Sequence, residues 1–133
     1  MKFTVSFRVP AQVIYKALTD ERELTMFTRT PAKFQESGEL LLFEGRIQGE
    51  VLELKEPSLI RMKWKMSDWP SYSDVCISIT DLGDDESEVT VEQSNFPERD
   101  AAGRTIDPEE VQSGWHNLIF ENINNILGYA IVR

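Results

Sequence analysis

Few side chains in this chain could do chemistry, and their spacing limits what that chemistry could be. His116 is the one histidine and Cys76 the one cysteine. They lie in different segments, and neither has a second ligand at the short spacing that metal sites use. Acidic residues gather between Asp81 and Glu88, but not in the oxygen-ligand pattern of a calcium loop. No metal and no other cofactor is therefore expected. Ser113-Gly114-Trp115 and Ser71-Tyr72-Ser73 carry hydroxyls without a Gly-x-Ser-x-Gly elbow or a recognisable acid–base partner. The seven glycines are scattered, so no phosphate-cradling loop is present. Carboxylate pairs sit at turns and helix starts, where capping and hydration account for them. The expectation is a protein that is not an enzyme.

The two most reactive types have structural readings. Val75, Ile77 and Ile79 alternate with Asp74, Cys76 and Ser78, which puts the thiol on the more polar face of a strand with no cationic neighbour in sequence to activate it. His116 follows Trp115 and falls off the apolar stripe of a helix, at a boundary or surface position.

Recognition chemistry is better represented. Trp64 falls on the apolar face of a strand and Trp115 on a helix stripe, positions that suit packing between sheet and helix. Trp69-Pro70 and Phe96-Pro97 flank loops. A loop tryptophan either plugs one end of a core or anchors a partner, and the sequence leaves both readings open. Arg61, Lys63 and Lys65 share one strand face, either as a basic contact patch or as a solvated row with partners such as Asp74 or Glu50. Partner contacts are thus expected among Trp69, Pro70, Phe96, Arg61, Lys63 and Lys65. A small apolar ligand would instead need a cavity lined by Phe7, Leu42, Met62, Trp64, Ile77, Val91, Trp115 and Ile119. The number of bulky side chains in that set argues for a filled core.

These residues depend on one long element for their placement. Asp107-Pro108-Glu109-Glu110 reads as a helix start, with an Asp cap, Pro at the first position and Glu in the first turn. Val111, Trp115, Leu118, Ile119, Ile123, Ile126 and Leu127 follow at helical spacing, and Gly128 supplies the stop. Such a stripe needs a long surface to lie on. Alternating segments provide it: Lys2 to Val9, Lys33 to Gln35, Glu39 to Glu44, Arg46 to Leu54, Leu59 to Met66, Ser73 to Asp81 and Val89 to Gln93. Two short helices fit between Pro10 and Thr30, the second opened by Asp20 and Glu23. Gly49, inside a strand, predicts a bulge or a close approach by the long helix. The acidic connection Gly83 to Glu88 predicts a hairpin turn, and Pro97 to Ile106 a polar, mobile loop. The fold class is α+β: a curved antiparallel sheet of about six or seven strands wrapped around a long C-terminal helix, with two short helices after the first strand. Residues 1–133 read as a single domain.

Bulk properties narrow the partners. A net charge of −9, from 23 acidic and 14 basic residues, repels phosphate backbones and argues against nucleic acid. No apolar run reaches membrane-spanning length, and Met1-Lys2-Phe3-Thr4 opens into a strand pattern rather than a signal sequence. A lone cysteine suits a reducing compartment, so a cytoplasmic location is expected.

Ile47-Gln48-Gly49-Glu50, Glu53-Leu54, Pro57, Ile60 and Met62-Lys63-Trp64-Lys65 together resemble the C-terminal domain of the activator of heat-shock protein 90 ATPase. The resemblance extends to Ala17-Leu18-Thr19-Asp20, Thr28-Arg29-Thr30-Pro31, Asp68-Trp69-Pro70, Val89-Thr90-Val91, Asn95-Phe96-Pro97, Gly114-Trp115, Asn122-Ile123 and Leu127-Gly128-Tyr129. It covers almost the whole chain, and the combination of Gly49, Trp64, Trp69-Pro70 and Gly114-Trp115 is its specific part. It implies the helix-grip fold of START-like and Bet v-like proteins. It also implies a co-chaperone that binds heat-shock protein 90 and favours its closed, ATP-hydrolysing state. The START-like alternative is a carrier holding a small apolar ligand between helix and sheet. Hydrolysis of a small substrate has the least support. Complete activators of this family carry a further N-terminal domain that grips the chaperone. The chain is expected to be either a stand-alone relative, which the start at Met1 fits slightly better, or an excised fragment; without the first domain, lost avidity predicts weaker binding and partial stimulation.

Overall fold

Alternation at the N-terminus sets the first strand. In the computed structural model, which describes residues 1–133, Phe3, Val5 and Phe7 point inward from β1 (Lys2–Phe7) while Lys2 and Thr4 face water. The strand stops at Phe7, two residues short of the expected Val9; Pro10 instead precedes the first helix, and α1 (Ala11–Thr19) and α2 (Glu21–Thr28) follow. Asp20 between them accepts hydrogen bonds from the backbone N–H groups of Arg22 at 2.8 Å and Glu23 at 3.3 Å, one half of the expected capping box. Glu23 does not reach back. Its carboxylate accepts from the Tyr129 hydroxyl at 3.2 Å and faces Lys16 at 3.8 Å, tying α2 to the chain beyond the last helix.

Six further strands complete the sheet: β2 (Lys33–Phe34), β3 (Glu39–Leu42), β4 (Ile47–Lys55), β5 (Leu59–Met66), β6 (Ser73–Gly83) and β7 (Glu86–Ser94). All pairs are antiparallel, in the order β1-β7-β6-β5-β4-β3-β2. β3 stops at Leu42, short of the expected Glu44, because Phe43, Glu44 and Gly45 turn through the left-handed region with φ of 52°, 57° and 84°. The acidic connection is also tighter than expected. Only Asp84 and Asp85 turn, with φ of 52° and 57°, and the strands run up to Gly83 and Glu86. Two central residues with positive φ match the strand twist as a type I′ turn does.

Gly49 answers to neither of its expected causes. It faces Trp64 on β5 and Leu40 on β3, and a Cβ there would run into the Lys63 carbonyl oxygen and the Leu40 side chain. The crowding comes from adjacent strands, not from the helix. The bulge lies further along, between Val51 and Glu53, and turns Leu52 outward.

The C-terminal helix begins as expected and then changes pitch. Asp107 caps α3 (Pro108–Gly114) by accepting from the Glu109 N–H at 2.9 Å. The helix continues without a break into two π-helical stretches, Trp115–Phe120 and Ile123–Leu127, and Gly128 ends it at φ 77°. A π turn closes at i→i+5, so its inward positions drift away from the α-helical period. The apolar stripe is therefore not the expected one. Leu118 turns outward and is 40% exposed, while Phe120, absent from the α-period reading, is fully buried and stacks on Trp115 at 6.1 Å.

One core of 28 buried residues joins sheet, helices α1 and α2, and the C-terminal helix. Past Gly128 the chain returns to β1, where Arg8 N–H donates to the Ala130 carbonyl and Val132 N–H to the Ser6 carbonyl, each at 2.8 Å. No helix is long and apolar enough to cross a membrane.

Candidate functional site

The three tryptophans meet at one end of the helix–sheet interface. Trp64 stacks on Trp115 with centroids 5.5 Å apart and planes at 23°. Trp69 meets Trp64 edge-on at 5.5 Å and Phe96 at 5.9 Å. Each geometry suits the ring quadrupoles. Trp69 is only 6% exposed, so this loop tryptophan closes one end of the core. A buried polar chain runs beneath the rings. Trp115 Nε1 donates to Gln93 Oε1 at 2.9 Å, Gln93 Nε2 donates to Ser73 Oγ at 3.0 Å, and Ser73 Oγ donates to the Trp64 carbonyl at 2.5 Å. Neither Ser73 nor Gln93 stands out in the sequence. Both lie on the inner face of their strands among apolar neighbours, which is the one signal that could have marked them as a buried pair.

Beside the tryptophans opens a groove of about 460 Å³, walled by the start of the C-terminal helix, the loop before it and the end of β5. Trp64, Trp69, Trp115, Ile106, Val111 and Leu118 contribute apolar surface. Asp68, Asp100, Asp107 and Glu110 bring carboxylates, and Arg104 is the single cation. The space further inside, directly between helix and sheet, is filled to a void of about 20 Å³. A void that small holds about one water.

The eight residues expected to line a cavity distribute accordingly. Trp64, Trp115 and Ile119 face both the groove and the small void. Leu42, Met62 and Ile77 face the void alone, while Phe7 and Val91 are core residues lining neither.

The loop forming one wall of the groove is more ordered than its polar composition implies. Arg99 bridges Thr105, Ile106 N–H donates to the Glu98 carbonyl at 3.1 Å, and Ala101 N–H reaches the Asp68 carbonyl at 2.7 Å. Asp100 Oδ1 accepts from Ala102 and Arg104 N–H, both at 2.9 Å, and Asp100 Oδ2 lies 3.3 Å from Arg104 Nε. The Arg104 N–H above all holds the Asp100 carboxyl below the usual carboxylate range. Gly103, at φ 80°, completes this miniature hairpin, and Asp100 with Gly103 is the turn signal that local sequence offers.

The basic row is largely matched within the sheet. Arg61 donates to Glu53 at 2.9 Å, which holds the Glu53 carboxyl below its usual range. Lys63 pairs with Asp74 across β6 rather than with Glu50. Lys65 behaves differently: its Nζ donates to the Trp69 carbonyl at 3.1 Å and lies 5.6 Å from the Tyr72 ring centroid. Of the expected partner contacts, Lys65, Trp69, Pro70 and Phe96 thus belong to one end of the molecule, while Arg61 and Lys63 lie further along the outer sheet face.

No group of three His, Cys, Asp or Glu side chains is placed to hold a metal ion. The His116 ring lies against Phe3 at 4.7 Å, and Cys76 is half-buried opposite Arg61 and Glu92 in the strand register. The Ser73 hydroxyl is fully buried and both donates and accepts. What these elements offer together is a rigid aromatic end and a concave, acid-rimmed surface, the equipment of a binding protein.

A long C-terminal helix held by a curved seven-stranded antiparallel sheet, with two short helices after β1, defines a helix-grip, START-like protein. The chain belongs to the family described as activator of Hsp90 ATPase homolog 1-like protein, whose model matches residues 8–128. It superposes on a crystal structure of an HSP90 activator from Plasmodium falciparum with a TM-score of 0.92 and 29% identity, covering 99% of this chain and 98% of that one. Among curated proteins it is 26% identical to the mouse activator of 90 kDa heat shock protein ATPase homolog 2, over 96% of this chain and 37% of that protein. The chain thus spans little more than a third of that relative's length. CalU16 from Micromonospora echinospora shares the fold, with a TM-score of 0.70 and 19% identity over 91% of this chain and 70% of that one.

Proposed function

We propose that this chain is a co-chaperone-type module that binds heat-shock protein 90 and stimulates its ATPase by favouring the closed state. The observation that carries the reading is the close match in shape, at 29% identity and over 99% of this chain, to an HSP90 activator from Plasmodium falciparum. Stimulation of this kind is a population shift, so the module must bind the closed chaperone more tightly than the open one. No bond chemistry by this chain is required, and the module is not an enzyme. Residues 1–133 act as one unit resembling the activator's C-terminal domain, in the cytoplasm.

The contact surface in this reading is the end where Lys65, Trp69, Pro70 and Phe96 gather. The buried Trp69 ring and the half-buried Phe96 ring hold the loop, and Lys65 and the exposed Pro70 present it. Arg61 and Lys63 contribute less, because their charges are already matched.

The test is a binding titration against purified chaperone, nucleotide-free and closed with a non-hydrolysable ATP analogue. Tighter binding to the closed form is expected. Equal affinity for both forms refutes the mechanism, since a ligand without preference shifts no equilibrium. A second reading, a carrier of a small ligand, rests on the groove of about 460 Å³ rather than on the filled interior.

A further inference from the structure

We propose that the groove beside the tryptophans binds a small cationic amphiphile, a molecule with an apolar body and a protonated amine. It takes the second reading further by naming the ligand class, and it does not depend on chaperone binding.

Size and shape come first. Small-molecule sites enclose roughly 300–1,000 Å³, and this groove, at about 460 Å³, falls within that range. Its walls are preformed. The hairpin around Asp100 is closed by its own hydrogen bonds and tethered to Asp68 through Ala101, so no loop has to fold to make the site. The π turns add apolar surface, because the shifted phase leaves Leu118 facing the groove instead of the core. π-helical turns recur at functional sites.

Charge then selects the ligand. Arg104 is occupied by Asp100, and Asp107 caps the helix with one oxygen. Asp68 and Glu110 line the groove with exposed carboxylates, and neither forms an ion pair. Among the residues lining the groove, no unpaired cation balances them. An apolar floor under uncompensated negative charge attracts an ammonium group and repels the carboxylate of a fatty acid. The other large concavity, about 380 Å³ on the outer sheet face, offers no such imbalance, since its Arg61 and Lys63 are paired with Glu53 and Asp74.

Decylamine and decanoate share one chain length and differ in charge, which makes them the probes. Each is titrated into the chain alone below its micelle concentration, at low salt, while the tryptophan emission is followed. Saturable one-to-one binding of decylamine is expected, at least about tenfold tighter than decanoate. The double variant Asp68→Asn, Glu110→Gln, at exposed positions, should bring the two within about threefold. Leu118→Arg, also exposed, should abolish decylamine binding. Equal or tighter decanoate binding, decylamine affinity unchanged in the double variant, or no saturable binding of either probe overturns the proposal. Binding of a basic amphipathic peptide in place of decylamine does so too, by assigning the groove to a protein segment. Because the chaperone is absent, any of these failures leaves the co-chaperone reading standing, and failure of that reading leaves this titration interpretable.

Discussion

Trp115 on the C-terminal helix donates its indole N–H to Gln93 Oε1 on β7 at 2.9 Å, so a buried hydrogen bond joins the helix to the sheet. Gln93 in turn reaches Ser73, and Ser73 the backbone of Trp64. Trp115 therefore contributes both apolar area and a directional contact. Trp115→Ala should cost about 3–5 kcal/mol in urea unfolding, as a large core deletion does. Trp115→Phe keeps most of the ring but leaves Gln93 Oε1 unpaired, and should cost about 1–3 kcal/mol. If the Phe variant unfolds at the wild-type midpoint, the hydrogen bond is not contributing.

Ser87 makes the opposite case. Its hydroxyl is the one buried side-chain polar atom without a hydrogen-bond partner. Ser87→Ala removes a desolvated group with nothing to lose, so stability should stay level or rise by up to about 1 kcal/mol. A clear fall in the unfolding midpoint would show that the hydroxyl has a role the geometry does not account for.

Gly49 is held by its neighbours in the sheet. Gly49→Ala pushes a methyl group against the Lys63 carbonyl, which belongs to a paired strand and yields poorly. Overpacking of this kind costs about 1–3 kcal/mol. Calorimetry on Gly49→Ala beside Gly114→Ala checks it, because a Cβ at Gly114 meets nothing within 4 Å and should be tolerated. Equal melting temperatures for the two variants would contradict the close approach.

Much of this architecture was legible in local pattern. Period-two alternation marks the longer strands such as β1, β5 and β6, and the Asp107-Pro108 start and Gly128 stop mark the long helix, because each is a short-range steric or capping requirement. The inner phase of that helix was not legible. Apolar spacing read at the α period places Leu118 inside and overlooks Phe120, since the i→i+5 hydrogen bonds that reverse them are a tertiary outcome. The tryptophans were visible as candidates, but their meeting was not: Trp64 and Trp115 come from opposite sides of the core. The acidic rim was equally hidden, because Asp68, Asp100 and Glu110 converge from three separate segments.

The hairpin around Asp100 carries a pH prediction. Asp100 is held below the usual carboxylate range, first by the Arg104 N–H. A carboxyl with a lowered folded-state pKa stabilises above its unfolded value, about 3.9, and loses that contribution as pH falls through the folded value. Amide protection of Ala102 and Arg104 by NMR exchange should therefore stay constant from neutral pH down to about 4 and collapse only below it. Asp100→Ala should remove the protection at every pH while barely moving the melting temperature. Protection that persists in the variant would place the hairpin's stability elsewhere.

The steady-state ATPase of purified heat-shock protein 90, measured with increasing amounts of this chain, tests the central claim most directly. The account predicts a saturable rise in turnover that Lys65→Glu together with Pro70→Ser weakens while the fold stays intact. An ATPase rate unchanged at large molar excess, with no complex formed, would contradict it.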